Sequence, residues 1–304
     1  MDEALTSRSS GVANTPELGG SARCLRQWIA DAAAVLAAAG ISSARLDAEV
    51  LLAQTLRLDR TAVHVRSETD LSDDDARSFM AMIRRRAARE PLAYITGRKE
   101  FWSLELEVTP AVLIPRPETE LAVEAALDLL RQRQSEPVSI CDLGTGSGCI
   151  AIALARELPQ AAVVAADLSA AALDVAGRNA TKLGVRDRIE LVISNLLARL
   201  RTRRFDLIVT NPPYVAAEEI GALEPELRWE PELALNGGVG GLEIIRWLLA
   251  EAGEALVSGG WLVMEIGADQ AAEVQALAGV NGFTNMRIVS DYAGMPRVLV
   301  AQAG

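Results

Sequence analysis

The sequence predicts an α/β protein built on a doubly wound, mostly parallel sheet, with a small all-helical N-terminal domain joined to it by a β-hairpin. Two observations lead to this prediction. From Arg23 to about Glu90, apolar side chains recur at intervals of three and four, as on helices. After Pro117, strand-like and helix-like segments alternate. Such alternation is typical of a parallel sheet covered by helices on both faces.

The composition indicates folded domains with buried cores. Of the 304 residues, 50% are hydrophobic and 23% are charged, which excludes wholesale disorder. No apolar run approaches the roughly 20 residues that a bilayer requires, so we expect neither a membrane span nor a secreted protein. Three cysteines and one histidine show no metal-ligand spacing, which favours a reducing cytoplasm and no metal site.

The net charge of −11 argues against a protein whose main role is to grip bare nucleic acid, because neutralisation of phosphates dominates such affinity. The acidic excess lies in the C-terminal two thirds of the chain. Arg84, Arg85 and Arg86, with Arg89, are predicted to spread around a helix as a solvated face. Contact of this run with RNA or an acidic partner stays open.

Changes in composition and periodicity divide the chain into four segments. The predicted segments are a disordered leader over residues 1–20, a helical domain over 21–90, a β-hairpin linker over 91–113 and the sheet domain over 114–304.

Local signals mark individual elements of the first three segments. Ser72 is predicted to be the N-cap of a helix. In the linker, side chains alternate from Phe101 to Val108, which predicts a half-buried strand, and Gly97-Arg98 suits a hairpin turn ahead of it.

In the sheet domain, the alternating pattern gives bounds for each element. The predicted strands are 138–142, 161–167, 189–194, 205–210 and 261–266. The predicted helices are 118–133, 149–157, 169–183, 241–257 and 269–278.

A glycine-rich turn, Gly144-Thr145-Gly146-Ser147-Gly148, follows the strand at 138–142 and opens a helix. Glycines let a backbone approach a ligand closely, and a helix N-terminus offers unpaired N–H groups. The carboxyl edge of an open parallel sheet is where nucleotide-like ligands bind. Asp167 closes the next strand, where its carboxylate can accept from two ribose hydroxyls. The alternative is a plain turn in which Asp167 caps a helix.

A second motif, Asn211-Pro212-Pro213-Tyr214, follows the strand at 205–210 at the same edge. Two prolines fix φ and remove two donors. The amide oxygen of Asn211 and the carbonyl of Pro212 can then accept both hydrogens of one incoming NH₂ group, and Tyr214 offers a flat wall for a planar substrate. An ordinary Asn-Pro turn is the alternative.

In this order, the two motifs resemble those of class I S-adenosylmethionine-dependent methyltransferases that alkylate planar NH₂ groups. More narrowly, the chain from about residue 21 onward resembles the peptide-chain release factor glutamine methyltransferase family, PrmC or HemK. The segments that carry the narrower resemblance are Pro91–Gly97, Glu100–Trp102, Leu113–Glu120, Asp142–Gly148, Asn211–Tyr214, Trp229–Pro231, Ala234-Leu235, Gly237-Gly238 and Gly241-Leu242.

The resemblance implies a Rossmann-like methyltransferase sheet and transfer of a methyl group from S-adenosylmethionine, with S-adenosylhomocysteine as product. The acceptor would be the side-chain amide nitrogen (N5) of the glutamine in the Gly-Gly-Gln motif of class 1 translation release factors. The helical domain would help to dock this partner. We expect a cytoplasmic monomer without direct sequence-specific nucleic-acid binding.

Carried over position by position, the resemblance implies two groups of site residues. Asn211, Pro212 and Tyr214 would be catalytic and, with Pro213, would bind the substrate amide. The residues implied to bind the cofactor are Gly144, Thr145, Gly146, Ser147, Gly148, Asp167, Asn195, Leu196 and Asn211.

Two positions depart from the family pattern. Where an acid and an aromatic residue are usual, this chain has Asn195 and Leu196. Asn195 can still accept from an adenine amino group and Leu196 can pack on the ring, but the contact is uncharged. Arg116, Glu118 and Thr119 could border the methionine end of the cofactor, and N-terminal capping of the following helix explains Glu118 and Thr119 equally well.

Three other functions are compatible with parts of this pattern. An amino-methyltransferase acting on adenine or cytosine of nucleic acid would use the same Asn-Pro-Pro-Tyr grip but lacks a basic surface. A non-catalytic adaptor would have no use for Asn211 and Tyr214. A dinucleotide dehydrogenase is disfavoured by the absence of G-x-G-x-x-G.

Overall fold

The computed structural model describes residues 23–133 and 136–304. They form two compact units, one ending at Ile95 and the other spanning Thr96–Gly304. The predicted leader, residues 1–20, lies outside the described residues. No helix within the described ranges is long and apolar enough to cross a membrane.

The first unit is helical, as predicted. Ser72 is the N-cap of its longest helix, where its Oγ accepts from the Asp75 N–H at 3.2 Å. Phe79 and Ile83 are fully buried in the core of this unit. The helices of this part of the chain are α1 (Leu25–Ala38), α2 (Ala44–Leu56), α3 (Arg60–Val65), α4 (Asp73–Ala87) and α5 (Leu92–Thr96).

The arginine run on α4 is not the solvated face that the sequence predicted. Arg84 and Arg85 are exposed, but Arg86 is buried and its Nε donates to Asp47 Oδ2 at 2.7 Å. A buried charge is tolerated when an opposite charge and hydrogen bonds satisfy it. The prediction is therefore wrong for Arg86, because its partner comes from another helix, 39 residues away.

A two-stranded hairpin, β1 (Arg98–Phe101) and β2 (Leu104–Glu107), opens the second unit. The predicted turn at Gly97-Arg98 is wrong, and so is the continuous strand from 101 to 108. The chain reverses at Trp102-Ser103, where both residues have positive φ, 53° and 57°.

Tertiary contacts hold this turn. The Trp102 N–H donates to Glu120 Oε1 at 2.8 Å, and the indole Nε1 donates to Glu157 Oε1 at 2.9 Å. Because neither turn residue is glycine, local sequence favours an extended strand here, and these contacts, remote in sequence, stabilise the reversal instead.

The second unit is built around a seven-stranded sheet in the order β5-β4-β3-β6-β7-β9-β8. The first five strands in this order are parallel, and β9 pairs antiparallel with both β7 and β8. The strands are β3 (Val138–Leu143), β4 (Ala161–Asp167), β5 (Ile189–Ile193), β6 (Phe205–Thr210), β7 (Leu256–Glu265), β8 (Phe283–Ser290) and β9 (Pro296–Ala303).

The predicted parallel sheet is confirmed, and the bounds of β4 and β6 agree with the sequence. The sequence did not predict β8 and β9, and β7 begins five residues earlier than expected, at Leu256 rather than 261. In β8 only Phe283 is buried, so the strand lacks the alternation of apolar and polar residues that would predict it. This strand forms because it pairs with β9 at the edge of the sheet.

Helices cover both faces of the sheet, as predicted. Apolar side chains of α6 and α7 join one buried cluster, and those of α9 and α10 join another. Along β3, Ile140 belongs to the first cluster and Cys141 to the second, as the two-residue period of a strand requires. The helices are α6 (Glu120–Leu130), α7 (Cys149–Glu157), α8 (Ala170–Lys182), α9 (Glu243–Ala255) and α10 (Ala271–Val280).

The strand order places a topological switch point at β3. The chain leaves β3 for β4 on one side, and β6 returns on the other. Leu143 at the end of β3 is in register with Ala166 and with Thr210. The three segments that follow these strands therefore meet at one edge, which is where open α/β sheets bind ligands.

Asn179 on α8 ties the hairpin to the glycine-rich turn. Its Oδ1 accepts from the Glu107 N–H at 2.7 Å, and its Nδ2 donates to the carbonyls of Glu107 at 3.0 Å and Ser147 at 2.9 Å. The side chain is fully buried, and truncating it would leave these backbone groups without their partner.

We predict that Asn179→Ala lowers the free energy of unfolding of the second unit by about 2–4 kcal/mol, because buried polar groups that lose their partners cost about 1–3 kcal/mol each. Urea denaturation followed by circular dichroism measures the change. Thr181→Ala, at an exposed position on α8, is the control. A loss no larger than that of the control contradicts the prediction.

Candidate functional site

A cavity of about 360 Å³ lies at the switch point, within the size range of small-molecule sites. Seven of the residues singled out in the sequence line it, namely Gly144, Gly146, Asp167, Asn195, Leu196, Asn211 and Pro213. The other five do not, namely Thr145, Ser147, Gly148, Pro212 and Tyr214. A larger open cleft of about 1080 Å³ has none of the twelve among its lining residues.

The glycine-rich turn is held tightly against the sheet. The N–H groups of Gly144 and Thr145 both donate to the Ala166 carbonyl, at 2.8 and 3.0 Å. Gly148 has φ of 81°, and a Cβ there would lie 3.0 Å from Ile152 Cδ1. Glycine at this position therefore allows both the left-handed backbone and close packing at the start of α7.

Asp142 supports the turn from inside the sheet. Its Oδ2 accepts from Thr145 Oγ1 at 2.7 Å and from the Ala151 N–H at 3.0 Å. Its Oδ1 has no hydrogen-bond partner within the described ranges. Burial raises the pKa of this carboxyl from 3.8 to about 7, even though both hydrogen bonds act in the opposite direction. Asp142 is thus a structural support that is costly to ionise.

Asp167 forms one wall of the cavity. Its Oδ2 accepts from the Gly146 N–H and its Oδ1 from the Ser169 N–H, both at 2.9 Å. Burial raises the pKa of this carboxyl, against the effect of these hydrogen bonds. Ser169, not Asp167, is the N-cap of α8. A carboxylate has about four acceptor positions, and the N–H groups of Gly146, Leu168 and Ser169 do not use all of them, so Asp167 can still accept from a ligand hydroxyl.

Asn195 and Leu196 form the next part of the wall. Leu196 has φ of 45°, a conformation that non-glycine residues adopt rarely. Ser194 holds it there, since its Oγ donates to the Leu196 carbonyl at 2.8 Å and accepts from the Arg199 N–H at 3.2 Å. The chain thus keeps both side chains at the cavity although neither is the usual type.

Contacts from residues later in the sequence hold the Asn-Pro-Pro-Tyr segment in place. Gln270 Nε2 donates to the Tyr214 carbonyl at 3.0 Å and to the Gly241 carbonyl at 3.3 Å. A Cβ on Gly241 would lie 2.2 Å from the Tyr214 oxygen. Only glycine permits this approach, which explains the resemblance segment at Gly241-Leu242.

Four side chains from three segments of the chain form a polar network beside the cavity. Asn211 Nδ2 donates to Thr119 Oγ1 at 3.1 Å, and Tyr214 Oη donates to Glu265 Oε1 at 3.2 Å. The Thr119 hydroxyl also lowers the pKa of the Glu265 carboxyl. Thr119 occupies the N-cap position of α6, as the capping interpretation has it, but its side chain makes no capping hydrogen bond; its Oγ1 accepts from Asn211 instead.

Arg116 belongs to a second link across the site. It donates to Glu230, whose Oε2 accepts from the Ile114 N–H at 3.0 Å. The Glu230 side chain is only 2% exposed. The Leu113–Glu120 and Trp229–Pro231 segments, far apart in sequence, are therefore joined by one buried carboxylate.

Sequence reasoning missed several residues of the site. Trp247, which lines the cavity, and the buried Glu265 were not singled out, and Glu230 was included in the Trp229–Pro231 segment without a role. Glu265 ends β7 at the carboxyl edge, and this placement of an acid was the signal that could have identified it. Trp247 carries no such signal, because it is one residue of an amphipathic helix.

The cavity residues suit a nucleoside-like cofactor. The positive-φ glycines Gly144 and Gly146 expose backbone at its wall, and Asp167 offers acceptors for vicinal hydroxyls. Leu196 and Leu168 supply apolar surface for a flat ring. Among the described residues, no group of His, Cys, Asp and Glu side chains could hold a metal ion.

Two family profiles match the chain. The PrmC N-terminal domain matches residues 27–97, and the methyltransferase small domain matches residues 120–224.

Curated relatives match nearly the whole chain. A protein from Moorella thermoacetica named release factor glutamine methyltransferase is 46% identical over 278 residues, which cover 91% of this chain and 98% of the relative. Proteins with the same name from Geobacter sulfurreducens and Cereibacter sphaeroides are 42% and 43% identical. The aligned regions cover 88% of this chain in both cases, and 93% and 94% of the two relatives.

Among solved structures, the hMettl16 catalytic domain in complex with the MAT2A 3′UTR hairpin 6 is similar in fold. The TM-score is 0.55 at 17% identity, with 77% of this chain and 83% of that chain covered. This similarity supports the Rossmann-like methyltransferase fold.

The raised pKa of Asp142 predicts a specific pH dependence of stability. Between about pH 4 and 7 the unfolded carboxyl is ionised while the folded one is still protonated, so folding is progressively disfavoured as pH rises through this window. Asp142→Asn removes this penalty. Relative to the parent, the unfolding free energy of the variant should rise by as much as about 4 kcal/mol over the window.

Denaturation curves at closely spaced pH values test this prediction. The matched control is Asp174→Asn, an exposed carboxyl on α8. Parallel pH dependence in the parent and in Asp142→Asn would show that the buried carboxyl does not titrate in this range.

Proposed function

This chain belongs to the release factor glutamine methyltransferase family, and we propose that it methylates the glutamine N5 nitrogen in the Gly-Gly-Gln motif of class 1 translation release factors. The proposed methyl donor is S-adenosylmethionine, with S-adenosylhomocysteine as product. One observation carries the proposal. The amide side chain of Asn211 shares a cavity with the glycine-rich turn and Asp167, so a planar amide and a nucleoside can be held side by side.

We assign cofactor binding to Gly144–Gly148, Asp167, Asn195, Leu196 and Asn211. Gly144 and Gly146 would present backbone to the cofactor, while Thr145, Ser147 and Gly148 hold the turn from behind. Asp167 would accept from the ribose hydroxyls with the lone pairs that its backbone contacts leave free. When bound, the cofactor supplies a methyl group that a sulfonium charge has already activated.

We assign binding of the substrate's glutamine side chain to Asn211 and Pro212. Two acceptors, the Asn211 amide oxygen and the Pro212 carbonyl, can bind both hydrogens of the substrate NH₂ group. They fix the direction of its nitrogen, and they favour a partly pyramidal nitrogen whose lone pair is less delocalised. Alignment of this kind contributes several kcal/mol to a rate. Pro213, in the cavity wall, and Tyr214, behind it, hold the segment in place.

The site needs no strong base. An amide nitrogen is a poor nucleophile because its lone pair is delocalised into the carbonyl, but the alkylated nitrogen is strongly acidic and loses its proton after transfer. Positioning is therefore the main task of these residues, which agrees with the absence of a Ser-His-Asp or Cys-His set from the cavity lining.

The remaining assignments concern the protein substrate, the oligomeric state and the cellular compartment. We assign docking of the release factor to the helical unit, whose sequence matches the PrmC N-terminal domain. We also propose that the chain acts as a monomer. We place the reaction in the cytoplasm, where translation terminates. Methylation of adenine or cytosine in nucleic acid is not favoured, since the relatives at 41–46% identity carry the release factor name.

We predict that Asn211→Ala lowers the methylation rate at least about 100-fold, because one of the two amide acceptors is lost. Purified release factor is incubated with S-adenosylmethionine and the enzyme, and the Gly-Gly-Gln peptide is examined by mass spectrometry for the mass of one added methylene. Asn281→Ala, at an exposed position on the helix end after α10, is the control.

If Asn211→Ala kept the full methylation rate, Asn211 would not be an acceptor for the substrate amide. Methyl transfer to RNA or DNA, with none to the release factor, would replace the proposed function by the nucleic-acid alternative.

We also predict that Asp167→Ala weakens binding of S-adenosylhomocysteine by about 10- to 100-fold, because hydrogen bonds to a charged acceptor contribute about 1.5–3 kcal/mol. Isothermal titration calorimetry gives the dissociation constant without substrate. Asp174→Ala, on the exposed face of α8, is the control. Equal affinities of the parent and Asp167→Ala would exclude the ribose role.

A further inference from the structure

Glu265 lies at the carboxyl edge of the sheet beside the Asn211 segment. It ends β7, and the residue before it, Met264, is in register with Thr210. The side chain is buried, with 1% of the residue exposed. None of the residues singled out from the sequence accounts for a carboxylate at this position.

The surroundings of Glu265 do not resemble those of a structural ion pair. No arginine or lysine forms a salt bridge with it among the described residues. Its Oε1 accepts from the Tyr214 hydroxyl at 3.2 Å, the Thr119 hydroxyl lowers the pKa of its carboxyl, and its Oε2 has no hydrogen-bond partner within the described ranges. A buried carboxyl without a paired cation destabilises a fold, so its presence beside the site points to a role there.

We propose that Glu265 is a positioning residue, which through Thr119 turns the Asn211 amide so that its oxygen, rather than its nitrogen, faces the substrate. The inference rests on the proposed function, since it concerns how Asn211 accepts the glutamine NH₂ group.

The hydrogen atoms give the network its direction. The Thr119 hydroxyl lowers the pKa of the Glu265 carboxyl, as a donor does, and an ionised carboxylate can only accept, so we assign the one hydrogen of Thr119 to Glu265. The Thr119 oxygen is then restricted to accepting, and the group that donates to it, 3.1 Å away, is Asn211 Nδ2. With Nδ2 held in this way, Oδ1 is the end of the amide that is left for a ligand.

Without an acceptor at the end of the network this order is lost. A Thr119 hydroxyl that is free to rotate can donate to Asn211 Oδ1, and the amide can then turn by half a rotation. The NH₂ group of Asn211 would then face the substrate NH₂ group. Two donors cannot hydrogen-bond to each other, so Asn211 would no longer bind the substrate amide.

Glu265 also gives the network a dependence on pH. Burial raises the pKa of its carboxyl from 4.5 to about 6, the nearby Glu118 acts in the same direction, and the Thr119 and Tyr214 hydroxyls and Arg297 oppose it. The pKa of the Tyr214 phenol is raised by burial and by Glu265, so Tyr214 stays a donor at neutral pH. Above about pH 6 the carboxylate accepts; below it, the protonated carboxyl no longer requires Thr119 to donate.

The first test is Glu265→Gln, which keeps the size of the side chain and removes its charge. We expect kcat for the release factor to fall about 10- to 100-fold at pH 7.5, with the dissociation constant for S-adenosylhomocysteine changed less than threefold. The acidic limb of the parent's kcat profile, with a midpoint near pH 6, should disappear. Glu273→Gln, an exposed carboxyl paired with Arg246, should leave both the rate and the limb as in the parent.

Variants of Thr119 separate orientation from bulk packing. Thr119→Val removes the hydroxyl at constant shape, and we expect a loss of kcat similar to that of Glu265→Gln. Thr119→Ser retains the hydroxyl and should be at least tenfold more active than Thr119→Val. The Glu265→Gln/Thr119→Val double variant should lose little more than either single variant, because both break one network.

A measurement without substrate keeps the inference testable on its own. In ¹⁵N-labelled full-length protein, the Asn211 side-chain amide signal is assigned by its loss in Asn211→Ala. Its hydrogen directed at Thr119 should exchange with water at least fivefold more slowly in the parent than in Glu265→Gln.

The outcomes distinguish the two proposals. Equal exchange in the parent and Glu265→Gln overturns the positioning role, as does a Glu265→Gln enzyme with the parent's kcat and acidic limb. A parent that does not methylate the release factor overturns the proposed function, and the exchange measurement then decides the inference separately.

Discussion

The parallel register of β3 with β4 and β6 is the constraint on which the rest of this site depends. It aligns Leu143 with Ala166 and with Thr210, so the segments that follow these three strands emerge at one edge. The Gly144 and Thr145 N–H groups then reach the Ala166 carbonyl, and Thr210 Oγ1 reaches the Leu143 carbonyl at 2.8 Å. A shift of one strand by one residue would separate these groups and reverse the faces of its side chains.

Buried carboxylates support this edge from three sides. Asp142 lies behind the glycine-rich turn, Glu265 behind Asn211, and Glu230 joins Arg116 to the Ile114 N–H. Each opposes folding when it is ionised without full compensation, and burial raises the pKa of the first two. The large apolar clusters on both faces of the sheet offset this cost. The outcome is a rigid wall of hydrogen-bonding groups, which is what an enzyme that acts by positioning requires.

The sequence predicted some features well and others poorly, and the physical reasons differ. The parallel sheet and the bounds of β4 and β6 follow from local apolar patterns, which burial on both faces produces. The turn at Trp102-Ser103 and the buried Arg86 depend on partners remote in the chain, Glu120 and Asp47. No local pattern carries that information. The edge strand β8 was missed because only one of its eight residues, Phe283, is buried.

By itself, the sequence determined the fold class, the glycine-rich turn, Asp167 and the Asn-Pro-Pro-Tyr segment, because each of these is a contiguous pattern whose chemistry can be recognised locally. Its segments also carried the resemblance to the family, which the relatives bear out. Only the tertiary structure decided that the Thr119 side chain bonds to Asn211 rather than capping α6. It also decided that Glu265 lies beside these residues. Thr119 and Glu265 are 92 and 54 positions from Asn211 in sequence, and packing of the sheet against α6 is what brings their hydrogen-bonding groups within reach.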